Sequence, residues 1–511
     1  MADAALSLFS EDTPSPAGNG ALRLRPHQVE ALEKVRGAWR TGAKNVLLEA
    51  PVAFGKTDVA VAMFEAAYQR GKHGIFVCDR LALINQTSQR FDKYGLPHGI
   101  IQGQNERFKP YEQIQVCSVQ TLQRRTKWPE HDFLVVDEAH VLHKENLRKL
   151  ERRECYAVGL SATPFSTGLA KYFDAHVVAE TTNQMMAGGW LCPFVVYQPS
   201  VPDMRGVAVK RSDGEWQEEA SYQRVRPIIG DIVAEYLRLG EGRKFICFAV
   251  NVAHAEELRA KFLAAGIIAE LYTYREDDVT RSEAVEQFRK PDSHIRGLIS
   301  VQALTRGFDV EDVGVVILAR PIRKSLIDHC QSIGRGLRIA PGKENCILLD
   351  HAQNVERFWS EANEYWENGG GELDDGTPKK KTKRKRRGKK PVLCPSCKRL
   401  HAAAPYCPGC GFKYEKRSGV HVVPGTLECK STRSLDGKRQ PAPPLNPGTE
   451  YAELLWIARA LGWKPGWAFM TYRRDHKGKW PPRPEPEPRM PSPGSRNWYR
   501  WKHNEERKRP G

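Results

Sequence analysis

Three groups of residues in this 511-residue chain have the types and spacing for phosphate chemistry. Gly55-Lys56-Thr57 follows the apolar run Val46-Leu47-Leu48 and precedes a helix-like stretch from Asp58 to Tyr68. Strand, loop and helix in that order turn backbone N–H groups and a helix N-terminus toward a phosphate. Lys56 would contact the β- and γ-phosphates of a nucleotide, and the Thr57 hydroxyl would hold Mg²⁺. Asp137-Glu138 ends a second apolar run, Phe133 to Val136. In an open parallel sheet, ligands bind at the carboxyl ends of strands. Asp137 would hold Mg²⁺ through water, and Glu138 would orient and deprotonate an attacking water. The third group is Gln331-Ser332-Ile333-Gly334-Arg335-Gly336-Leu337-Arg338. Residues at i and i+3 share a helix face, so Arg335 and Arg338 reach one anion. Two guanidinium groups suit the equatorial oxygens of a transferring phosphoryl group. Taken singly, each pattern has an ordinary reading: a solvated basic face, a turn before a helix, and an acidic first helical turn. Leu160-Ser161-Ala162-Thr163-Pro164, after Tyr156-Ala157-Val158, reads alone as a tight loop.

The elements around these groups have a regular rhythm. Short apolar strands alternate with helical stretches at Gly74 to Cys78, Ile114 to Val119 and Phe133 to Asp137. This is the pattern of a parallel α/β sheet. It restarts at Lys244 to Val250 and continues through Gly297 to Val301, Gly314 to Ala319 and Asn345 to Asp350. The sequence therefore predicts two tandem parallel-sheet lobes with the phosphate site between them. Lys56, Asp137 and Glu138 come from the first lobe, Arg335 and Arg338 from the second. Hydrolysis would then depend on lobe closure.

The order and spacing of these groups resemble the superfamily 2 helicases over about Arg23 to Asn354. The resemblance implies two RecA-like lobes and an ATP-driven motor on nucleic acid. It makes Arg25-Pro26-His27-Gln28 the adenine-reading segment, with Gln28 on the base and Arg25 beside it. It makes Ala50 to Thr57 the nucleotide loop, including Ala53, Phe54, Gly55, Lys56 and Thr57. Asp137 to His140 spells a DEAH box. His140, Ser161 and Thr163 would couple hydrolysis to movement. Arg80, Gln120 and Thr121 fall where the family contacts the nucleic-acid backbone. Thr305 and Arg306 would do the same from the second lobe, with Gly307 and Asp309 on the nucleotide. Gln331 would assist Glu138 in catalysis. A closer resemblance, to the bacterial and phage RadD-type DNA-repair helicases, rests on four segments. These are Thr305 to Asp309, Ala319-Arg320-Pro321, Pro341-Gly342-Lys343 and Leu348-Leu349-Asp350-His351, together with cysteine pairs after the motor. One position departs: relatives usually carry Thr-Gly where this chain has Val52-Ala53. If residue 53 needs φ > 0, its Cβ is costly and weakens nucleotide binding.

The predicted domains are a flexible leader (1–20), lobe 1 (21–195), a linker or hairpin insertion (196–224) and lobe 2 (225–366). A basic disordered linker (367–392), a zinc ribbon (393–414), a further linker (415–448), a small helical hairpin (449–480) and a Pro-rich basic tail (481–511) follow. The ribbon rests on Cys394-x-x-Cys397 and Cys407-x-x-Cys410, nine residues apart. Two such knuckles offer four thiolates to a tetrahedral Zn²⁺. With almost no core of its own, the module would draw its folding energy from the metal. A redox pair would need only one knuckle. The remaining cysteines, such as Cys78, Cys117 and Cys247, sit singly in apolar contexts, as in a reduced cytoplasmic protein.

A net charge of +18 favours a polyanionic partner, although the basic run Lys379 to Lys390 supplies much of it. DNA, single-stranded or forked, is the expected partner, with RNA as the alternative. A protein partner would dock through the ribbon or tail. No run of about 18 apolar residues appears, so no membrane span is expected. In the tail, Tyr451, Leu454, Leu455, Ile457, Ala458 and Leu461 have helical spacing. Trp456, Trp463 and Trp467 suit either a small core or base stacking. Trp498 and Trp501 are expected to be freer for a partner. Two rival readings are a catalytically degenerate nucleic-acid-binding protein, supported by Val52-Ala53, and the motor subunit of a restriction or defence system.

Overall fold

A computed structural model describes residues 22–301, 310–377, 390–414, 446–464, 466–491, 497–498 and 500–501. Thr305, Arg306, Gly307 and Asp309 lie outside the described residues. So do the leader and most of the basic run. The chain divides into two compact units, residues 1–415 and 416–511.

The first unit is α/β and holds two sheets. Sheet A comprises β1 (Asn45–Glu49), β2 (Gly74–Cys78), β3 (Gly99–Ile101), β4 (Ile114–Ser118), β5 (Phe133–Val136), β6 (Tyr156–Ser161) and β7 (Ala175–Val178). Their order is β3-β4-β2-β5-β6-β1-β7, and every pairing is parallel. Parallel strands covered on both faces read as continuous apolar runs. Every residue of β1, β2, β4 and β5 is accordingly buried. The order has a direct consequence. Because β5, β6 and β1 are neighbours, the loops after them emerge side by side at one edge. These are the loops carrying Asp137-Glu138, Ser161-Ala162-Thr163 and Ala50 to Gly55.

Sheet B comprises β8 (Phe194–Tyr197), β9 (Phe245–Phe248), β10 (Ala269–Tyr272), β11 (Gly297–Ser300), β12 (Val315–Leu318), β13 (Cys346–Asp350), β14 (Val392–Leu393) and β15 (Arg399–His401). Their order is β10-β11-β9-β12-β13-β8-β15-β14. The first six strands are parallel, and β15 and β14 are antiparallel. The helix Leu326–Gly334, which carries Gln331, follows β12.

Three expectations about organisation change here. First, β8 begins at Phe194 yet pairs with β13, so the chain enters the second sheet before residue 196. The reason is the free edge of β13, whose backbone groups need partners. Second, the cysteine module does not stand apart from lobe 2. Its strand β15 pairs with β8 through Arg399↔Tyr197 and Leu400↔Val196, extending sheet B. Third, residues 369–374 are not a loose tether. They follow the helix Trp359–Asn368 and return to sheet A. The Gly370 amide donates to Glu49 Oε1 at 2.7 Å, and the Gly168 amide donates to Asp374 Oδ1 at 3.2 Å. A side chain on Gly370 would lie 2.8 Å from Glu49 Oε2. The glycine therefore serves close approach rather than freedom.

The second unit contains the helices Pro447–Ala460 and Gly466–Asp475. Tyr451, Leu454, Ile457, Leu461, Ala468 and Tyr472 form its core, with Trp456, Trp463, Trp467 and Trp501 packed against it. Trp501 is thus not free: its ring meets Trp456 at 5.6 Å. Among the described residues no helix is long and apolar enough to cross a membrane.

Candidate active site between the two sheets

Lys56 begins the helix Lys56–Gln69, immediately after the loop that leaves β1. Its side chain is half-buried, and that desolvation pushes its pKa down. Glu138 and Asp137 act against that shift, while Arg335 and Arg338 add to it. All four groups therefore lie within electrostatic reach of Lys56, two from each lobe. Lys56 Nζ donates to the carbonyls of Ala50 and Pro51, each at 3.1 Å. To meet a phosphate it must exchange these bonds for new ones.

Asp137 is also half-buried. Burial first, and Glu138 second, raise its carboxyl pKa, and Lys56 opposes them. Thr57 and Asp137 line the same cleft, about 520 Å³ in volume, together with Arg90 and Arg289. Glu138 has φ 46°. A non-glycine residue in the left-handed region costs about 1–3 kcal/mol and is found chiefly at functional sites. Ala53 has φ 68°, so the position does require φ > 0. Gly55, at φ 90°, leaves room for Gln28: a Cβ there would lie 2.3 Å from Gln28 Nε2.

Gln28 is engaged within the protein. Its Oε1 accepts from the Arg25 amide at 2.9 Å, and its Nε2 donates to the Phe54 carbonyl at 3.1 Å. It thus fastens the helix Pro26–Arg40 to the nucleotide loop. The Phe54 ring is fully buried, edge-on to His27 at 4.9 Å, so Phe54 can face a ligand only through its backbone. Trp190, outside every motif, lies 4.8 Å from His27, and the Arg25 guanidinium sits 5.6 Å above its ring.

A polar chain runs from the acidic pair to the β6 loop. His140 Nδ1 lies 3.3 Å from Glu138 Oε2 and 3.0 Å from Ser161 Oγ. Ser161 Oγ accepts from the Thr163 amide at 3.1 Å. The Tyr365 hydroxyl, from the helix after lobe 2, donates to the Ala162 carbonyl. On the other edge, Gln120 Nε2 donates to the Asp79 carbonyl at 2.7 Å, and Thr121 Oγ1 accepts from the Gly103 amide at 3.1 Å. Arg80 borders a second cleft with Trp216 and Arg320.

The second lobe fastens residues 320–325, which lead into the helix that carries Gln331. Asp350, buried at the end of β13, accepts from the amides of Ala352, Asn354 and Val355. Asn354 in turn bonds the backbone of Ile322 and Arg320. Glu215, from the hairpin closed by the Val209–Trp216 bridge, accepts from the amides of Arg323, Lys324 and Ser325 at 2.7, 2.7 and 2.8 Å. Sequence reasoning missed Glu215, Tyr365, Glu49 and Trp190. Only the carboxylate beside Asp213-Gly214 offered a local signal, since acidic turn residues cap backbone amides.

The site fits a magnesium-bound nucleotide. Thr163 Oγ1 and both amide atoms of Gln331 are buried without a hydrogen-bond partner among the described residues. Buried polar atoms are ordinarily satisfied, so this unspent capacity suits a polar ligand. The cysteine cluster fits Zn²⁺. Its four Sγ atoms lie within 4.8 Å of one another, with two pairs at 3.6 Å. Tetrahedral Zn–S bonds of about 2.3 Å imply S···S separations of about 3.8 Å.

Comparison with known proteins agrees with this geometry. Residues 21–166 match the family described as "Type III restriction enzyme, res subunit", and residues 229–340 match "Helicase conserved C-terminal domain". A "51.5 kDa protein" of a Lactococcus phage is 25% identical over 60% of this chain and 66% of its own length. "Putative ATP-dependent helicase IRC3" of Saccharomyces cerevisiae is 23% identical over 64% of this chain and 51% of its own. "Type I restriction enzyme EcoKI endonuclease subunit" of Escherichia coli is 25% identical over 63% and 34%, respectively. The chain thus spans less than two thirds of each of these relatives. A fragment of a putative HsdR subunit of a type I restriction enzyme from Vibrio vulnificus has the same fold. It has a TM-score of 0.53 and 20% identity, covering 73% of this chain and 69% of that one. The paired domains of residues 21–166 and 229–340 are those of a superfamily 2 helicase, related to the restriction-enzyme helicases and to Irc3.

Proposed function

We propose that this protein is an ATP-dependent DNA helicase or translocase, acting on single-stranded or forked DNA in repair, recombination or phage DNA metabolism. The observation that carries the reading is the convergence of Asp137 and Glu138 from one sheet and Arg335 and Arg338 from the other on the half-buried Lys56. Mg²⁺, held through Thr57 and Asp137, supplies charge neutralisation on the phosphates. Lys56 binds the phosphate chain, and Glu138 orients the attacking water and takes its proton. Gln331 spends its amide on that water or on the γ-phosphate. Arg335 and Arg338 meet the charge that develops on the transferred group. The chain Glu138–His140–Ser161 carries the state of the site to the β6 loop.

DNA is favoured over RNA by the kinship with restriction-enzyme subunits, while the net charge of +18 suits either polyanion. The cysteine module holds one Zn²⁺ and, with the tail, provides contacts for DNA or a protein partner. Within the superfamily the segments Thr305 to Asp309, Ala319-Arg320-Pro321 and Leu348 to His351 support a RadD-type enzyme, and it works in the cytoplasm.

The test is Mg²⁺-dependent ATP hydrolysis by the wild type and Glu138→Gln, with no nucleic acid, single-stranded DNA, forked DNA or RNA. Turnover that rises with DNA and vanishes in the variant is expected. Greater stimulation by RNA would move the substrate assignment. An inert, folded, zinc-loaded wild type would favour a degenerate motor, the reading that the strained Ala53 supports.

A further inference from the structure

Three acids of the C-terminal unit are tucked against its own groups, while Glu485 and Glu487 beyond the turn stand exposed. Glu453 is fully buried and takes a hydrogen bond from Asn497 at 3.1 Å. The Asp475 side chain is 4% exposed and paired with Arg500 at 2.6 Å. Glu450 meets His476 at 3.1 Å. Between residues 464 and 484, Asp475 is the single acid, against Lys464, Arg473, Arg474, Lys477, Lys479 and Arg483.

This basic segment ends its turn on an exposed indole. Lys477 and Gly478 both have positive φ, 51° and 86°, and fold the chain back after the helix Gly466–Asp475. The Gly478 amide donates to the Arg473 carbonyl at 2.7 Å, and Arg473 Nε donates to the Gly478 carbonyl at 3.2 Å. The turn delivers Trp480 beside Phe469 at 5.4 Å, with the Arg473 guanidinium 5.1 Å from its ring centroid. Arg473 and Phe469 fix the ring, yet Trp480 remains 67% exposed. Burying a large apolar ring is favourable. A tryptophan braced by two neighbours and left open to solvent is therefore set for a partner. Arg474, with a side chain 69% exposed, and the exposed Lys477 and Lys479 belong to the same turn.

We infer that Trp480 is a base-stacking platform, and that the turn Arg473–Trp480 is a binding site for single-stranded nucleic acid separate from the motor cleft. A flat indole face meets the face of an unpaired base, which a duplex keeps covered, while the surrounding cations meet the phosphates. The choice of nucleic acid as partner rests on the reading of the chain as a nucleic-acid-directed motor. The site itself does not require ATP.

The test uses the full-length protein without nucleotide. A labelled single-stranded oligonucleotide, a hairpin duplex and polyglutamate are titrated against wild type, Trp480→Ala, Trp480→Phe and Lys477→Ala. Trp480→Ala is expected to lose about 5- to 150-fold in single-strand affinity, with little change for the duplex and an unaltered salt slope. Trp480→Phe retains most of the affinity. Lys477→Ala flattens the salt dependence by about 0.7 in slope. A 5-iodouracil oligonucleotide should crosslink to the peptide containing Trp480, which separates this site from the motor cleft. Affinity within twofold of wild type for Trp480→Ala, or equal losses on polyglutamate, would overturn the inference. DNA-stimulated ATPase alongside that result would leave the motor reading intact. A Trp480 effect with no ATPase would overturn the motor reading alone.

Discussion

Val52 fills the space that Gly334 leaves open across the cleft: a Cβ on Gly334 would lie 2.5 Å from Val52 Cβ. The nucleotide loop of lobe 1 thereby touches the helix of lobe 2 one residue before Arg335. Gly334→Ala should push the lobes apart and misplace the arginines. A displacement of about 1 Å can cost about 10²-fold in rate, so kcat for ATP hydrolysis should fall by that order. Val52→Ala in the same chain should restore much of it. Full activity in Gly334→Ala would show that the contact is dispensable.

Ala53 should respond in the opposite sense to most substitutions at a nucleotide loop. A left-handed alanine costs about 1–3 kcal/mol, while glycine costs about 0.4–1 kcal/mol in chain entropy. Ala53→Gly is therefore expected to stabilise lobe 1 by up to about 1–2 kcal/mol and to tighten nucleotide binding. Thermal melting and titration with a fluorescent ATP analogue measure the two effects. A lower melting temperature would refute the strain argument.

Arg335→Ala should abolish turnover while leaving ATP bound. Loss of an arginine finger costs about 10³- to 10⁵-fold in rate. Single-turnover hydrolysis separates chemistry from binding. Near-normal turnover would remove Arg335 from the transition state.

Glu215 should matter to catalysis although no motif contains it. Its carboxylate satisfies three amides ahead of the helix that carries Gln331. Hydrogen bonds to a charged group contribute about 1.5–3 kcal/mol when buried and less where water competes, as it does at Arg323 and Lys324. Glu215→Ala is expected to lower kcat more than it raises KM, with Glu215→Gln in between. Equal kinetics in all three proteins would make the hairpin mere packing.

Acid should weaken lobe 2 through three buried histidines. Burial lowers the pKa of His254 to about 4, and of His329 and His351 to about 3. In the unfolded chain each protonates near 6.5. Their contribution is therefore fully present above about pH 6.5 and is lost as pH falls toward the folded values, where only the unfolded state gains protons. Each removes up to about 1.4 kcal/mol per pH unit over that range. Melting temperature should drop from pH 7 to pH 5. His329→Phe, which forfeits no bond among the described residues and keeps a ring against Phe358, should flatten the drop. An unchanged pH profile in that variant would count against the assignment.

The sequence by itself determined the α/β class, the strand-end placement of Asp137-Glu138, the four-cysteine cluster and the helical tail. Those features are local. An apolar run ending in two carboxylates, or two Cys-x-x-Cys knuckles, carries its signal within a few residues. What only the tertiary structure decided depends on partners far apart in the chain. The return of Gly370 to Glu49 spans 321 residues, and the seat of Tyr365 on Ala162 spans 203. The clamp of Glu215 on Ser325 spans 110. No periodicity records such pairings, because each satisfies a backbone group or a buried carboxylate that becomes costly only once the sheets exclude water from it. The same reason explains Ala53. Sequence marked the position as unusual, but its positive φ is imposed by the loop between β1 and the helix at Lys56, a constraint that exists only in the folded chain.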